Sequence, residues 1–218
     1  MSHRPATSPP WQEHPLRGPD GHLAWAGLCS TLALASLVAT TGTRPQMLVW
    51  HATAWPHHPW MLWTASLVHM SAAHWLVNLG ALLVLAVLGL SLRAQWPATL
   101  AVLLAWPLGT LALMAWPQVG WYAGMSGLLT AMLAALCVHA WRPGSRIASS
   151  VLLAALALKL LVEQAWSHPI AFEPSFGFNV VNAAHLTGAA AGTACAMLVR
   201  SLLALRSRKP PDTTASDR

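Results

Sequence analysis

The feature that most constrains this chain is where charge is missing. Residues 21–43, 45–92, 94–141 and 174–199 contain no Asp, Glu, Lys or Arg. A surface facing water needs charge, and an ordinary soluble domain carries about 25% charged residues. These 218 residues carry 8%, and 56% are apolar. That excludes a soluble enzyme, a disordered tail and a nucleic-acid-binding module. A spanning helix needs about 20 predominantly apolar residues. The two 48-residue stretches therefore each hold more than one span, or a span with further membrane-associated structure. The chain reads as an all-α, multi-pass integral membrane protein.

Pro, Gly, Trp and Arg punctuate the apolar text and predict six transmembrane helices. The first covers about 24–41, ended by Thr41-Gly42-Thr43, and the second about 73–92, stopped at Arg93. The third runs 97–116 from Pro97 to Trp116-Pro117, and the fourth 124–141 to Trp141-Arg142-Pro143-Gly144. The fifth covers 147–166 and the sixth 180–202. Pro107 falls inside the third, where it kinks the helix or is absorbed by packing. Segment 44–72 is too long for a hairpin. Its Trp50, Trp55, Trp60 and Trp63, with Pro56 and Pro59, suit a structure lying in the headgroup layer, which Trp prefers. The organisation expected is an N-terminal cytoplasmic tail at 1–22, a membrane domain at 23–204 and a C-terminal cytoplasmic tail at 205–218.

Orientation follows from Lys and Arg, which accumulate on the cytoplasmic side. With six spans, one side receives Arg4, Arg17, Arg93, Arg142, Arg146, Arg200, Arg206, Arg208, Lys209 and Arg218, and the other Arg44 alone. Both termini are expected in the cytoplasm, and the net charge of +6 is a topology signal. The 22 residues before the first helix, with five prolines among them, make a poor signal-peptide n-region, so that helix is read as retained. Cys29, Cys137 and Cys195 all fall inside spans and read as small core residues.

Polar residues inside a membrane are functional candidates, with packing hydrogen bonds as the alternative. Helices 2, 4 and 6 all run from the outer side inward, so residues near their starts share one depth. His74 and Asn78 open helix 2, four apart and hence on one face. Ser126 opens helix 4 and His185 opens helix 6. Each lies within about 10 Å of the outer surface at 1.5 Å per residue. Small residues argue that these helices meet. Gly188 and Gly192 are four apart beside His185, and Gly124 and Gly127 flank Ser126. Such spacing lets backbones approach closely, and glycine at a helix start leaves N–H groups free for developing negative charge. Four polar groups at one depth favour a catalytic site over a structural polar layer.

These pieces resemble the rhomboid family of intramembrane serine proteases. The resemblance rests on His69-x-x-x-x-His74-x-x-x-Asn78 entering helix 2, Gly124-Met125-Ser126-Gly127 in helix 4 and Ala184-His185-x-x-Gly188-x-x-x-Gly192 in helix 6, and covers about residues 60–200. It implies a six-helix bundle with Ser126 as nucleophile and His185 as general base. His74, Asn78 and the Ser126 backbone N–H would form the oxyanion hole. The compact body and Lys159-Leu160-Leu161-Val162-Glu163-Gln164 in helix 5 resemble the rhombosortase branch. That branch is associated with removing C-terminal GlyGly-CTERM anchors (a glycine pair, a transmembrane stretch and a basic tail) from exported proteins. The partners implied are such membrane-anchored substrates and the bilayer, with no nucleic acid. The place implied is the bacterial inner membrane, with the site open to the periplasm.

The chain departs from the family pattern at two positions. Thr130 stands where many rhomboids carry an aromatic residue against which the histidine ring packs, and the acidic residue common after helix 2 is replaced by Arg93 and Gln95. What orients His185 is thus open. No third carboxylate is expected at this depth, which implies a Ser–His dyad needing no metal or cofactor. Lys159 and Glu163, four apart, read first as a mutual ion pair that softens two costly membrane charges. The alternative is recognition of substrate backbone or a terminal group. His69 reads as structural, and His139 lies too far along helix 4 to serve Ser126. The rivals are a non-catalytic rhomboid-like binder of transmembrane helices, a rhomboid of other specificity, a haem protein using His74 and His185, and a transporter.

Overall fold

The computed structural model describes residues 21–42 and 44–207. The tails expected at 1–22 and 205–218, with Arg4, Arg17, Arg208, Lys209 and Arg218, lie outside the described residues except where the first and last helices reach into them. The long helices are α1 (Gly21–Thr41), α2 (Ala72–Ser91), α3 (Trp96–Leu111), α4 (Ser126–His139), α5 (Arg146–Glu163) and α6 (Asn182–Ser207). Four stretches are long and apolar enough to cross a membrane: α1, α2, α3 with the 3₁₀ turn that follows it, and α6. The fourteen residues of α4 are apolar but shorter, and α5 carries Arg146, Lys159 and Glu163. The chain is a multi-pass membrane protein.

Local chemistry sets the ends. Ser71 caps α2, its side chain accepting from the His74 N–H at 3.2 Å. Pro97 sits in the first turn of α3, where its missing N–H is harmless. That helix continues through Pro107, tightens into a 3₁₀ turn at Ala112–Ala115, and ends at Trp116, which is extended before Pro117. Of the boundaries that differ from the sequence expectation, three have a local cause next to them. The fourth helix starts at Ser126 instead of 124, because Gly124 has φ +124° and cannot be helical. The fifth stops at Glu163 instead of 166, closed by Gln164 in the left-handed region. The sixth starts at Asn182 instead of 180, because residues 178–180 form a strand.

Two small antiparallel pairs were not legible in the sequence. β1 (Trp50–His51) pairs with β2 (Trp121–Tyr122), opposing Trp50 to Tyr122 and so tying segment 44–72 to the α3–α4 connection. That segment is a chain of short turns, with 3₁₀ pieces at Pro45–Leu48 and Ala65–Leu67 and one helical turn at Met61–Thr64. It buries Trp50, Met61, Leu62 and Ala65 against Leu113, Tyr122 and Ala183. β3 (Ala171–Glu173) and β4 (Phe178–Val180) form a hairpin in the α5–α6 connection.

The main core joins Trp25 and Leu32 of α1, Leu82 and Leu85 of α2, Ala101 and Val102 of α3, Met132 and Leu136 of α4, and Ala196 and Val199 of α6. The closest packing is between α4 and α6. A Cβ at Gly188 would overlap the Gly127 carbonyl oxygen, and one at Gly192 would overlap that of Ala131. Helix α5 is peripheral: Ser149 and Leu156 are its buried residues, and Leu156 rests on Ala134 and Ala189. At one end of the bundle Arg142 donates to the Leu92 carbonyl at 2.9 Å and Arg200 donates to that of Val138, which gathers these basic residues together.

Candidate active site

Helices α2 and α5 face each other across a cavity of about 760 Å³, backed by α4 and α6. Its walls are apolar: Val77, Ala81 and Val84 on α2, Leu152, Ala155 and Leu156 on α5. The polar groups gather where α2, α4 and α6 begin and α5 ends. His74, Asn78, Ser126, Thr130, Lys159, Glu163 and His185 all line it there.

Ser126 is the first residue of α4, which has no side-chain cap. The first N–H groups of a helix have no intrahelical partner and carry its positive end. The turn before it is held on both sides. The Gly124 N–H donates to the Ala65 carbonyl at 3.0 Å, and the Tyr122 hydroxyl donates to the Gly124 carbonyl at 2.5 Å. Burial pushes the Tyr122 phenol above its ordinary range, so it stays a donor. Gly124 is required twice over: by its φ, and because a Cβ would stand 2.7 Å from His74 Cε1.

His74 is buried between these glycine-bearing turns and the hairpin. Its ring centroid lies 5.1 Å from Phe176, 5.3 Å from Phe178 and 5.1 Å from His69. Among the described residues its Nδ1 is buried with no hydrogen-bond partner. Asn78 is buried one turn along and donates from Nδ2 to the His74 carbonyl at 2.9 Å, which leaves its second amide hydrogen. His69 sits just outside α2 and hydrogen-bonds from Nδ1 to the Leu67 carbonyl at 3.2 Å. Burial first, then its neighbour His74, pushes it down to about 4, so it is neutral.

His185 is 5% exposed, on the face of α6 that carries Gly188 and Gly192. The Thr130 hydroxyl is shared between the carbonyls of Gly127 at 2.7 Å and His185 at 3.1 Å. Where an aromatic residue would press on the ring, this side chain pins the backbone of α6 to α4. A Cβ at Gly127 would meet the Ala184 carbonyl at 2.8 Å, so the same seam seats both Ser126 and His185.

The ring itself is engaged from α5. Glu163 Oε2 lies 2.9 Å from His185 Nδ1 and Lys159 Nζ lies 3.0 Å from the same nitrogen, while Lys159 and Glu163 Oε1 form an ion pair. This overturns the expectation that no carboxylate shares this depth. Helix α5 runs opposite to α4 and α6, so its last turn comes level with their first turns. The sequence offers Lys159 and Glu163 as a mutual ion pair or a substrate contact, and two charges near the end of an apolar helix are the signal it gives of a group beside His185. Among the described residues neither Ser126 Oγ nor His185 Nε2 has a hydrogen-bond partner; both open onto the shared cavity.

The other singled-out residues lie elsewhere. His139 is in the last turn of α4, His51 is half-buried in β1, and His57, His58 and His168 are exposed. Cys29, Cys137 and Cys195 are buried and unpaired. Among the described residues no three His, Cys, Asp or Glu side chains group as a metal site. The Rhomboid domain family model matches residues 56–202. No curated protein matches the chain.

Proposed function

The chain belongs to the rhomboid family of intramembrane serine proteases, and we propose that it is an endopeptidase cleaving transmembrane anchors with Ser126 as nucleophile and His185 as general base. The observation that carries this reading is that His74, Asn78, Ser126 and His185, from three helices, line one end of one cavity. Ser126 Oγ attacks the scissile carbonyl while His185 Nε2 takes its proton. The tetrahedral oxyanion collapses to an acyl-serine, and the proton passes to the leaving amine. Water then attacks the ester by the same route and releases the new carboxylate. The oxyanion is the costly species in an apolar site. His74, with an unsatisfied ring nitrogen, Asn78, with a spare amide hydrogen, and the uncapped start of α4 supply donors to it. Hydrogen bonds of this kind are often long in the resting enzyme and tighten when substrate arrives.

In this reading the six long helices of residues 23–204 span the bacterial inner membrane, with both tails in the cytoplasm. At about 21 Å, α4 is shorter than the ~30 Å hydrocarbon core. Ser126 therefore lies below the outer surface, where water from the periplasm reaches it through the cavity. The substrates are those of the rhombosortase branch, exported proteins with a GlyGly, transmembrane and basic tail. A glycine pair lowers the cost of unwinding the substrate, since glycine disfavours helix by about 1 kcal/mol against alanine. The test is co-expression with an exported reporter bearing such a tail, beside a Ser126→Ala control. A shortened reporter mass seen only with Ser126 is the expected result. An intact reporter in both strains removes this substrate class, and labelling of Ser126 by a fluorophosphonate would then separate a protease of other specificity from a non-catalytic helix binder.

A further inference from the structure

A neutral histidine can take a proton from serine only if its own proton sits on the other ring nitrogen. At His185 two groups compete to set that choice. A carboxylate accepts and an ammonium donates, so Glu163 at 2.9 Å and Lys159 at 3.0 Å from Nδ1 ask for opposite tautomers. With Nδ1 accepting from Lys159, the hydrogen would sit on Nε2 and block the base. The remaining contacts decide between them. Lys159 has a carboxylate acceptor of its own in Glu163 Oε1, whereas among the described residues Oε2 has no donor besides His185.

Building on the serine-protease reading, we infer that Glu163 is a positioning residue: it accepts the Nδ1–H of His185, fixes the tautomer that leaves Nε2 free for Ser126, and is itself anchored by Lys159. The site thus has a serine, a histidine and a carboxylate in sequence, on α4, α6 and α5. Glu163 also favours the imidazolium that forms when Ser126 is deprotonated, and Lys159 opposes it. The charged or titratable groups sharing the cavity with His185 are His74 from α2, Lys159 and Glu163 from α5, and Glu173 from the hairpin.

The test compares E163Q, E163D and K159M of the full-length protein in detergent. It reads kcat and KM for a GlyGly-transmembrane peptide, and the rate of fluorophosphonate labelling at Ser126. The expected result for E163Q is a kcat lower by about 10- to 100-fold with KM little changed. That is below the about 10⁴-fold loss when an enclosed triad carboxylate becomes an amide, because the Glu163 side chain is 20% exposed and shared with Lys159. K159M lowers kcat less than E163Q does, since Glu163 loses its anchor but still accepts the Nδ1–H. E163D restores part of kcat. A merely structural ion pair would lower kcat alike in E163Q and K159M, with no rescue by E163D, and that result overturns the inference. An effect confined to KM overturns it in favour of substrate recognition. If E163Q does not fold, E163D decides alone: a lower kcat at unchanged KM supports the inference, and a wild-type kcat overturns it. Failure of the wild type both to label and to cleave overturns the protease reading, and this one with it.

Discussion

The α4–α6 seam and the α2–α5 cleft are built from the same apolar alphabet and do opposite things. Across the seam Gly127, Gly188 and Gly192 bring backbone against backbone, so closely that a methyl group overlaps a carbonyl. Across the cleft Val, Leu and Ala side chains stand apart around about 760 Å³. In a bilayer apolar helices gain nothing by hiding from lipid, so association depends on close packing between small residues. Where those residues are present the helices lock; on α5, with Leu158, Leu161 and Val162 exposed, they do not. The division suits a protease that must hold its reacting atoms fixed and still admit a helix from the side. It also divides His185, whose backbone belongs to the seam while its ring is held from the looser wall.

The sharpest way to break this contrast is to enlarge one small residue on each side. Gly188→Val puts atoms into the Gly127 carbonyl and against Thr130 Oγ1, 2.7 Å from the Cβ position. Overpacking a tight core typically costs about 1–3 kcal/mol, and because the obstacle is backbone the expected loss is at or above that upper bound. Cleavage should fall by more than about 100-fold, as expected when the geometry that positions reacting groups is lost. Ala155→Val, on the cleft wall, should change stability by no more than about 0.5 kcal/mol. Thermal unfolding in detergent and reporter cleavage read both. A Gly188→Val protein that melts like wild type would show that the seam yields and that the contrast is false.

The next effect isolates chemistry from packing. His74 belongs to the cleft side yet touches the turn before α4. If it donates to the oxyanion, His74→Ala should lower kcat by about 10²–10³-fold while leaving KM within a few-fold. A change in KM alone would make His74 a wall of the cleft and nothing more.

The parts of this design that were legible in the sequence are those carried by composition and spacing. Charge-free runs gave the helices, and four-residue intervals put His74 with Asn78 and Gly188 with Gly192. Long-range pairing left no such trace. The strand contacts of Trp50 with Tyr122 and the Phe176–Phe178 hairpin depend on which loops meet, and two- and three-residue strands carry no readable alternation. Glu163 stands out in the sequence as a partner of Lys159 or a substrate contact, but its place beside His185 is hidden for a different reason. Its depth follows only when the last turn of an outward-running helix is counted from its far end. Thr130 was noticed as a departure, but its role as a hydroxyl bridge between two backbones required knowing which carbonyls lie within reach.

The smallest effect should fall beside His74, on the segment that carries His69. The folded state holds this histidine down at about 4, chiefly by burial, against an ordinary 6.5. The folded form therefore prefers it neutral. Stability is fully present above about 6.5 and is lost as pH falls toward 4, amounting to about 1 kcal/mol by about pH 5.5. The loss is expected to be local, because the contacts His69 makes are with Leu67 and His74. Protection factors for hydrogen exchange at residues 65–75, taken relative to the free-peptide rate at each pH, should fall several-fold between about pH 7.5 and 5.5, while those of residues 127–138 of α4 stay at the level of global unfolding. His69→Gln should remove the pH dependence of that local opening. If protection at residues 127–138 falls in step with that at 65–75, the His69 segment and the seam open as one unit, and the separation between a rigid seam and a yielding flank does not hold.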